Sequence, residues 1–349
     1  MTAFRPLYRT QKMIGFEQKF RKGNRLLVNH SVAARLTATT NDREVQKLYL
    51  ESFTLPIRIE DALLAERADH NGGEHGYIDN PYPCGLFAGK DFSEIYFGRT
   101  TVFYGGNGSG KSTLLNLIAQ KLELNRIAPF SSGEMFDSYA DACEYTLGFD
   151  DEGFRYRIPN GSRIITSDDI FDYMLTVRTN NNEISEQKEI ARESWGELKY
   201  GETIKFRGMQ DYEAFRLQVL SRKKSVSRRQ FIRRTAGNEV KLNSNGETAL
   251  QYFESKLKPD TLYCLDEPEN SMAPKMQLKL VAMLEELCRY CGCQFVIATH
   301  SPFLLAMDGA KIYNLDSNPV RTENWWELEN TKVYYDFFQK HRDLFEGRH

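Results

Sequence analysis

Thr101-Val102-Phe103-Tyr104 runs straight into Gly105-Gly106-Asn107-Gly108-Ser109-Gly110-Lys111-Ser112-Thr113, and Leu114, Leu115, Leu117, Ile118 and Leu122 follow at helical spacing. An apolar strand, a glycine loop and an amphipathic helix in that order are what a phosphate cradle requires. Glycines let the backbone curl until successive N–H groups converge on an anion, and the start of the helix adds its positive end. The loop fits G-x-x-x-x-G-K-[ST], with Gly105, Gly110, Lys111 and Ser112 at the defined positions. Gly106, Asn107, Gly108, Ser109 and Thr113 complete the cradle. Lys111 is expected to reach β- and γ-phosphates, and Ser112 to ligate Mg²⁺.

Three segments further along extend this reading. Leu262-Tyr263-Cys264-Leu265 is an apolar strand ending in Asp266-Glu267-Pro268. It delivers two carboxylates to the C-terminal edge of a sheet, where open α/β folds bind ligands. Asp266 is expected to hold Mg²⁺, and Glu267 to act as base or water-positioner against a γ-phosphate. Phe295-Val296-Ile297-Ala298-Thr299 is a second buried strand, ending at His300-Ser301-Pro302; His300 is placed to sense or hold the same phosphate. Asn243-Ser244-Asn245-Gly246-Glu247-Thr248 precedes an apolar helical run. Ser244 with Glu247 makes a capping box, which is enough to start a helix. The same capped terminus, with a hydroxyl and Gly246, also suits an anion, and the residues alone leave the two readings open.

The rest of the chain bounds the answer. Its 349 residues, 41% hydrophobic and 27% charged, suit an ordinary globular protein, and 46 basic against 48 acidic residues leave a net charge of −2. No apolar run approaches the roughly 20 residues that span a bilayer, and Met1 to Thr10 lack the apolar core of a signal peptide. A cytoplasmic protein with no membrane partner is expected. Cys288, Cys291 and Cys293 read as the end of a helix and the entry to a strand, with reduced thiols, rather than as a metal site. Residues 1–45 read as an extension, 46–316 as the main domain and 317–349 as a tail. Asp169 to Thr176 reads as a short helix and Asn180 to Glu186 as a linker. Residues 209–234 read as helical and carry Arg216, Arg222, Lys223, Lys224, Arg228, Arg229, Arg233 and Arg234. This basic segment reads either as a solvated helix face or as a surface for nucleic-acid phosphates. Alternating strands and helices imply an α/β fold with a mostly parallel sheet flanked by helices.

Taken in order, these motifs resemble the ATP-binding-cassette (ABC) ATPases over about residues 46–316. Gly105 to Ser112 stand as Walker A, Asn243 to Glu247 as the signature, Leu262 to Glu267 as Walker B with its catalytic glutamate, Glu269 to Met272 as the D-loop and His300 as the switch histidine. The S-x-G-E form of the signature is similar to the structural-maintenance-of-chromosomes, RecF and OLD-like branch, and to small stand-alone bacterial ATPases labelled "AAA family". The resemblance implies a P-loop ATPase head with a helical subdomain at about 169–257, which binds and hydrolyses Mg-ATP. It also implies an ATP-dependent homodimer in which Ser244, Gly246 and Glu247 of one copy meet the nucleotide on the other. A DNA or RNA transaction such as repair or phage defence follows from the branch, carried out directly or through a separate nuclease or effector protein. A nucleotide-binding subunit of a transporter and a slow ATP-dependent dimerisation switch are the alternatives. The coupling glutamine of transporter heads has only Ser167-Asp168 as a positional counterpart, and the adenine pocket is not assigned.

Overall fold

A computed structural model of the chain describes residues 47–71, 81–130, 132–205, 208–236 and 244–347. The proposed N-terminal extension and Asn243 lie outside them. The chain enters through β1 (Leu50–Thr54), followed by α1 (Arg58–Asn71), β2 (Glu94–Tyr96), β3 (Thr100–Tyr104), α2 (Lys111–Lys121), α3 (Glu134–Ala142) and β4 (Glu144–Leu147). A helical region follows β5 (Arg163–Ile165): α4 (Ser167–Tyr200), α5 (Tyr212–Arg222), α6 (Arg228–Ala236) and α7 (Asn245–Lys256). Strands and helices then alternate through β6 (Leu262–Asp266), α8 (Pro274–Tyr290), β7 (Gln294–Ala298), α9 (Pro302–Leu305), β8 (Lys311–Asn314) and β9 (Arg321–Thr322). The tail forms α10 (Glu329–Lys340) and α11 (Arg342–Glu346).

The larger sheet has the order β5-β6-β7-β3-β8-β9, parallel except for the β8–β9 pair. The expected α/β class is therefore observed. Period-two alternation divides each central strand between two cores. Phe103, Cys264, Val296 and Ala298 face α2, whereas Val102, Tyr104, Leu265 and Ile297 face α7 and α8. A smaller antiparallel sheet, β2-β1-β4, packs on the α2 side. Fully buried Gln294 ties the two sheets together: its amide oxygen accepts from Leu50 N at 2.9 Å, and its nitrogen donates to Leu50 O and Gly98 O.

The region after β5 departs from the sequence reading. The short helix and the linker expected at Asp169–Thr176 and Asn180–Glu186 are parts of one 34-residue helix, α4. It starts at a capping box between Thr166 and Asp169. Asn180-Asn181-Asn182 has weak helix propensity, but tertiary packing overrides it. Asn181 is buried, and beyond it Ala191 and Trp195 pack on Val226 and Phe231, with the Trp195 and Phe231 rings 4.9 Å apart. The helical character expected for 209–234 is observed as α5 and α6. All six cysteines are free, and no cluster of metal-ligating side chains occurs among the described residues. Cys288 and Cys293 sit in the core, at the helix end and strand entry expected of them.

Candidate functional site

β7 lies between β3 and β6, so the turns after Tyr104, Asp266 and Ala298 emerge side by side at the C-terminal edge of the sheet. Two glycines shape the first turn. Gly110 holds φ +102°, and a side chain there would meet the Phe87 ring at 2.9 Å. A Cβ on Gly105 would fall 2.5 Å from Ser109 Oγ. Inside this loop Lys111 is buried, and its Nζ donates to Gly105 O at 2.7 Å and Gly106 O at 2.9 Å. Thr113, one turn into α2, hydrogen-bonds Tyr82 through its hydroxyl.

Ser112 Oγ donates to Asp266 Oδ1 at 3.0 Å, which joins the first turn to the second. Burial pushes the Asp266 carboxyl up to about 6; the Ser112 hydrogen bond opposes the shift and the neighbouring Glu267 charge adds to it. A hydroxyl and a carboxylate oxygen at this spacing are the hard donors that Mg²⁺ takes, so the pair fits the ion that the sequence assigned to it. Glu267 follows in the left-handed region, at φ +46°, a conformation that costs a non-glycine residue on the order of 1–2 kcal/mol. Its N–H bonds Ala298 O at 2.9 Å. Its carboxylate accepts from Asn270 Nδ2 at 3.1 Å and lies 3.6 Å from His300 Nδ1. Walker A, both acids and His300 thus form one constellation.

The signature segment lies elsewhere, at the start of α7. Ser244 and Glu247 form the capping box, with Ser244 N donating to Glu247 Oε2 at 3.1 Å and Glu247 N to Ser244 Oγ at 3.4 Å. Both residues are exposed. Gly246 is buried where α7 meets α8, and a Cβ there would press on Met276 Cγ at 3.2 Å. Asn245 accepts from Arg178 of α4. Ser167 and Asp168 line a depression of about 330 Å³ with Asn270 and Ser271 of the D-loop.

Three residues support the site through bonds that no sequence motif announced. Glu269 is 5% exposed, and its Oε1 accepts from Thr299 Oγ1, His300 N and Ser301 N, so one side chain fixes the turn that carries His300. Burial raises its pKa, and the Thr299 hydrogen bond opposes the shift. Asp316 accepts from Gly106 N at 2.7 Å. Lys90 bonds Ser109 O and Leu315 O, with its pKa lowered by burial. An acid after Asp266-Glu267-Pro268 was visible in the sequence; its bond to the next strand was not.

The basic segment divides on inspection of its partners. Arg216 pairs with Glu213 at 2.6 Å, Arg222 bonds Gly201 O and Thr203 Oγ1, and Arg228 bonds Arg192 O. Lys223, Lys224, Arg229, Arg233 and Arg234 are exposed, with no ion pair among the described residues.

The family model described as "ABC transporter" matches residues 92–270, just over half of the chain. A second, described as an AAA domain, putative AbiEii toxin of a type IV toxin–antitoxin system, matches residues 248–306. Among solved structures the chain is similar to a dimeric ATP-binding cassette in a post-hydrolysis state with ADP and phosphate. That match has 16% identity over 67% of this chain and 90% of the other, with a TM-score of 0.31. It is also similar to a nucleotide-free cassette from an ABC transporter, at 19% identity over 68% and 88%, with a TM-score of 0.30. No curated protein matches. No helix among the described residues is long and apolar enough to cross a membrane.

Proposed function

The chain belongs to the ABC family of ATPases, which act on ATP with Mg²⁺, and from that membership we propose which residues carry the reaction and what the reaction drives. The observation that carries the proposal is the joining of three strand ends by two side-chain contacts, Ser112 to Asp266 and Glu267 to His300.

In this reading Lys111 exchanges its two loop carbonyls for β- and γ-phosphate oxygens, and the loop N–H groups cover the remaining phosphate charge. Ser112 and Asp266 hold Mg²⁺. The bound ion supplies positive charge where negative charge gathers on the phosphate oxygens. Glu267 orients a water in line with the γ-phosphorus and accepts its proton as the bond to the leaving oxygen breaks. Its left-handed backbone and the Asn270 bond fix the carboxylate's aim. His300, held by Glu269 through its turn, contacts the γ-phosphate. The phosphate-facing Ser244 and Gly246 come from a second copy, so ATP closes a homodimer and hydrolysis releases it. The exposure of Ser244 and Glu247 at the capped terminus of α7 supports this assignment.

The transaction so driven acts on nucleic acid. The five exposed cations of α6 and the turn before it, which form no ion pair among the described residues, support contact with a phosphate backbone, and the S-x-G-E signature supports the branch. The decisive measurement is steady-state Mg-ATP hydrolysis by the wild type and Glu267→Gln, each with and without duplex and single-stranded DNA. The expected outcome is a fall of about 10²–10⁴-fold in turnover for Glu267→Gln with ATP binding retained, together with stimulation of the wild type by DNA. Near-wild-type turnover in the variant overturns the assignment of Glu267. A Glu267-dependent activity indifferent to DNA removes the nucleic-acid role and points to a protein partner.

A further inference from the structure

The tail is largely uncovered. Leu328 is fully buried and Asn330 N donates to Tyr104 OH, so α10 is anchored beside the strand that feeds Walker A. From Lys332 to Lys340 every residue is exposed. Tyr334, Phe337, Phe338 and Phe345 are 50% to 72% exposed, as are Val333 and Leu344 within the same limits. With Tyr335 these residues leave on the order of 800 Å² of surface open, much of it aromatic or aliphatic. A 12-residue helix is marginal in water without packing, so this one needs a cover.

The spacing indicates which cover. Tyr334, Phe338, His341 and Phe345 follow each other at intervals of four, three and four residues, the a/d seam by which one helix pairs with another. Within the seam the rings of Phe338 and Phe345 already lie 5.9 Å apart. Charges beside it nearly cancel: Glu329, Asp336, Asp343 and Glu346 against Lys332, Lys340 and Arg342. Such a helix does not repel its own copy. The open area equals about the 800 Å² that each partner contributes to a standard interface.

We propose that the α10–α11 segments of two copies pair along this seam and hold the protein as a dimer without nucleotide. The contact is distinct from the ATP-dependent closure of the heads and keeps two copies together through the open state. Sedimentation equilibrium of the full chain in nucleotide-free buffer, from micromolar to high-micromolar concentration, tests it. The expected species has twice the 40.4 kDa chain mass. Phe338→Glu combined with Phe345→Glu raises the dimer dissociation constant at least ~100-fold, while circular dichroism and the affinity for an ATP analogue stay at wild-type values. Ser244→Arg, aimed at the other interface, leaves the nucleotide-free dimer intact; if it too dissociates that dimer, the contact belongs to the signature face and the proposal fails. A wild-type monomer in that range also overturns it, as does an assembly that the double substitution leaves unchanged. In either case the seam serves a different partner.

Discussion

The nucleotide edge and the α4–α6 region are built on opposite plans. At the edge, hydrogen bonds connect one strand end to the next, and Lys111 and Glu269 are buried among partners. In the helical region Ala191, Trp195, Val226 and Phe231 form a small buried cluster of their own, and long stretches of α4 are open to solvent. The first plan fixes atoms for chemistry. The second rests on a small core of its own with much of its surface in solvent, so it is expected to open at lower cost than the edge.

The contrast can be broken from either side. Beyond the loss of turnover in Glu267→Gln, the largest effect is expected from Ser244→Arg. A bulky cation on the exposed cap of α7 abolishes ATP-driven closure while ATP binding to the single chain persists, as light scattering with Glu267→Gln as the closed reference would show. Undiminished closure would make the segment a helix cap only. Next, Phe231→Ala removes the fully buried ring of the small cluster and costs about 3–5 kcal/mol locally. Hydrogen exchange should rise across α5 and α6 but not in β3, β6 or β7; protection lost equally in both regions would refute the division. The smallest effect concerns Asp266→Asn in metal-free buffer. The folded carboxyl titrates near 6, above the ordinary aspartate value of 3.8, so its burial as an anion destabilises the fold above that pH. The variant is expected to be more stable than wild type by about 1–3 kcal/mol at pH 8, with the gain disappearing as pH falls through 6 towards 4. A gain independent of pH would mean that burial of this charge is not its source.

The legibility of the sequence follows the same division. Walker A, Asp266-Glu267 and His300 were readable because each is a buried strand followed by chemistry that few other roles demand. The structure brings these together. Helix α4 was not readable, since Asn180-Asn181-Asn182 looks like a break and only packing on α6 restores the helix. Nor were α1, the pairing that makes β2-β1-β4 an antiparallel sheet, or the roles of Glu269, Asp316 and Lys90, although the alternation over Lys47 to Leu55 reads as a strand. Their partners lie far away in sequence, and no local period announces them. The basic run of eight gave too large a surface, because Arg216, Arg222 and Arg228 are engaged in bonds within the fold.

The length of α4 has a mechanical consequence. It is rooted at Thr166 beside the sheet edge, is tied to the signature by Arg178 and Asn245, and carries Trp195 near its far end. With a rise of 1.5 Å per residue, a tilt of only about 5° at the root displaces Trp195 by about 4 Å. A small rotation at its root is thereby magnified into a displacement of several ångströms at its far end.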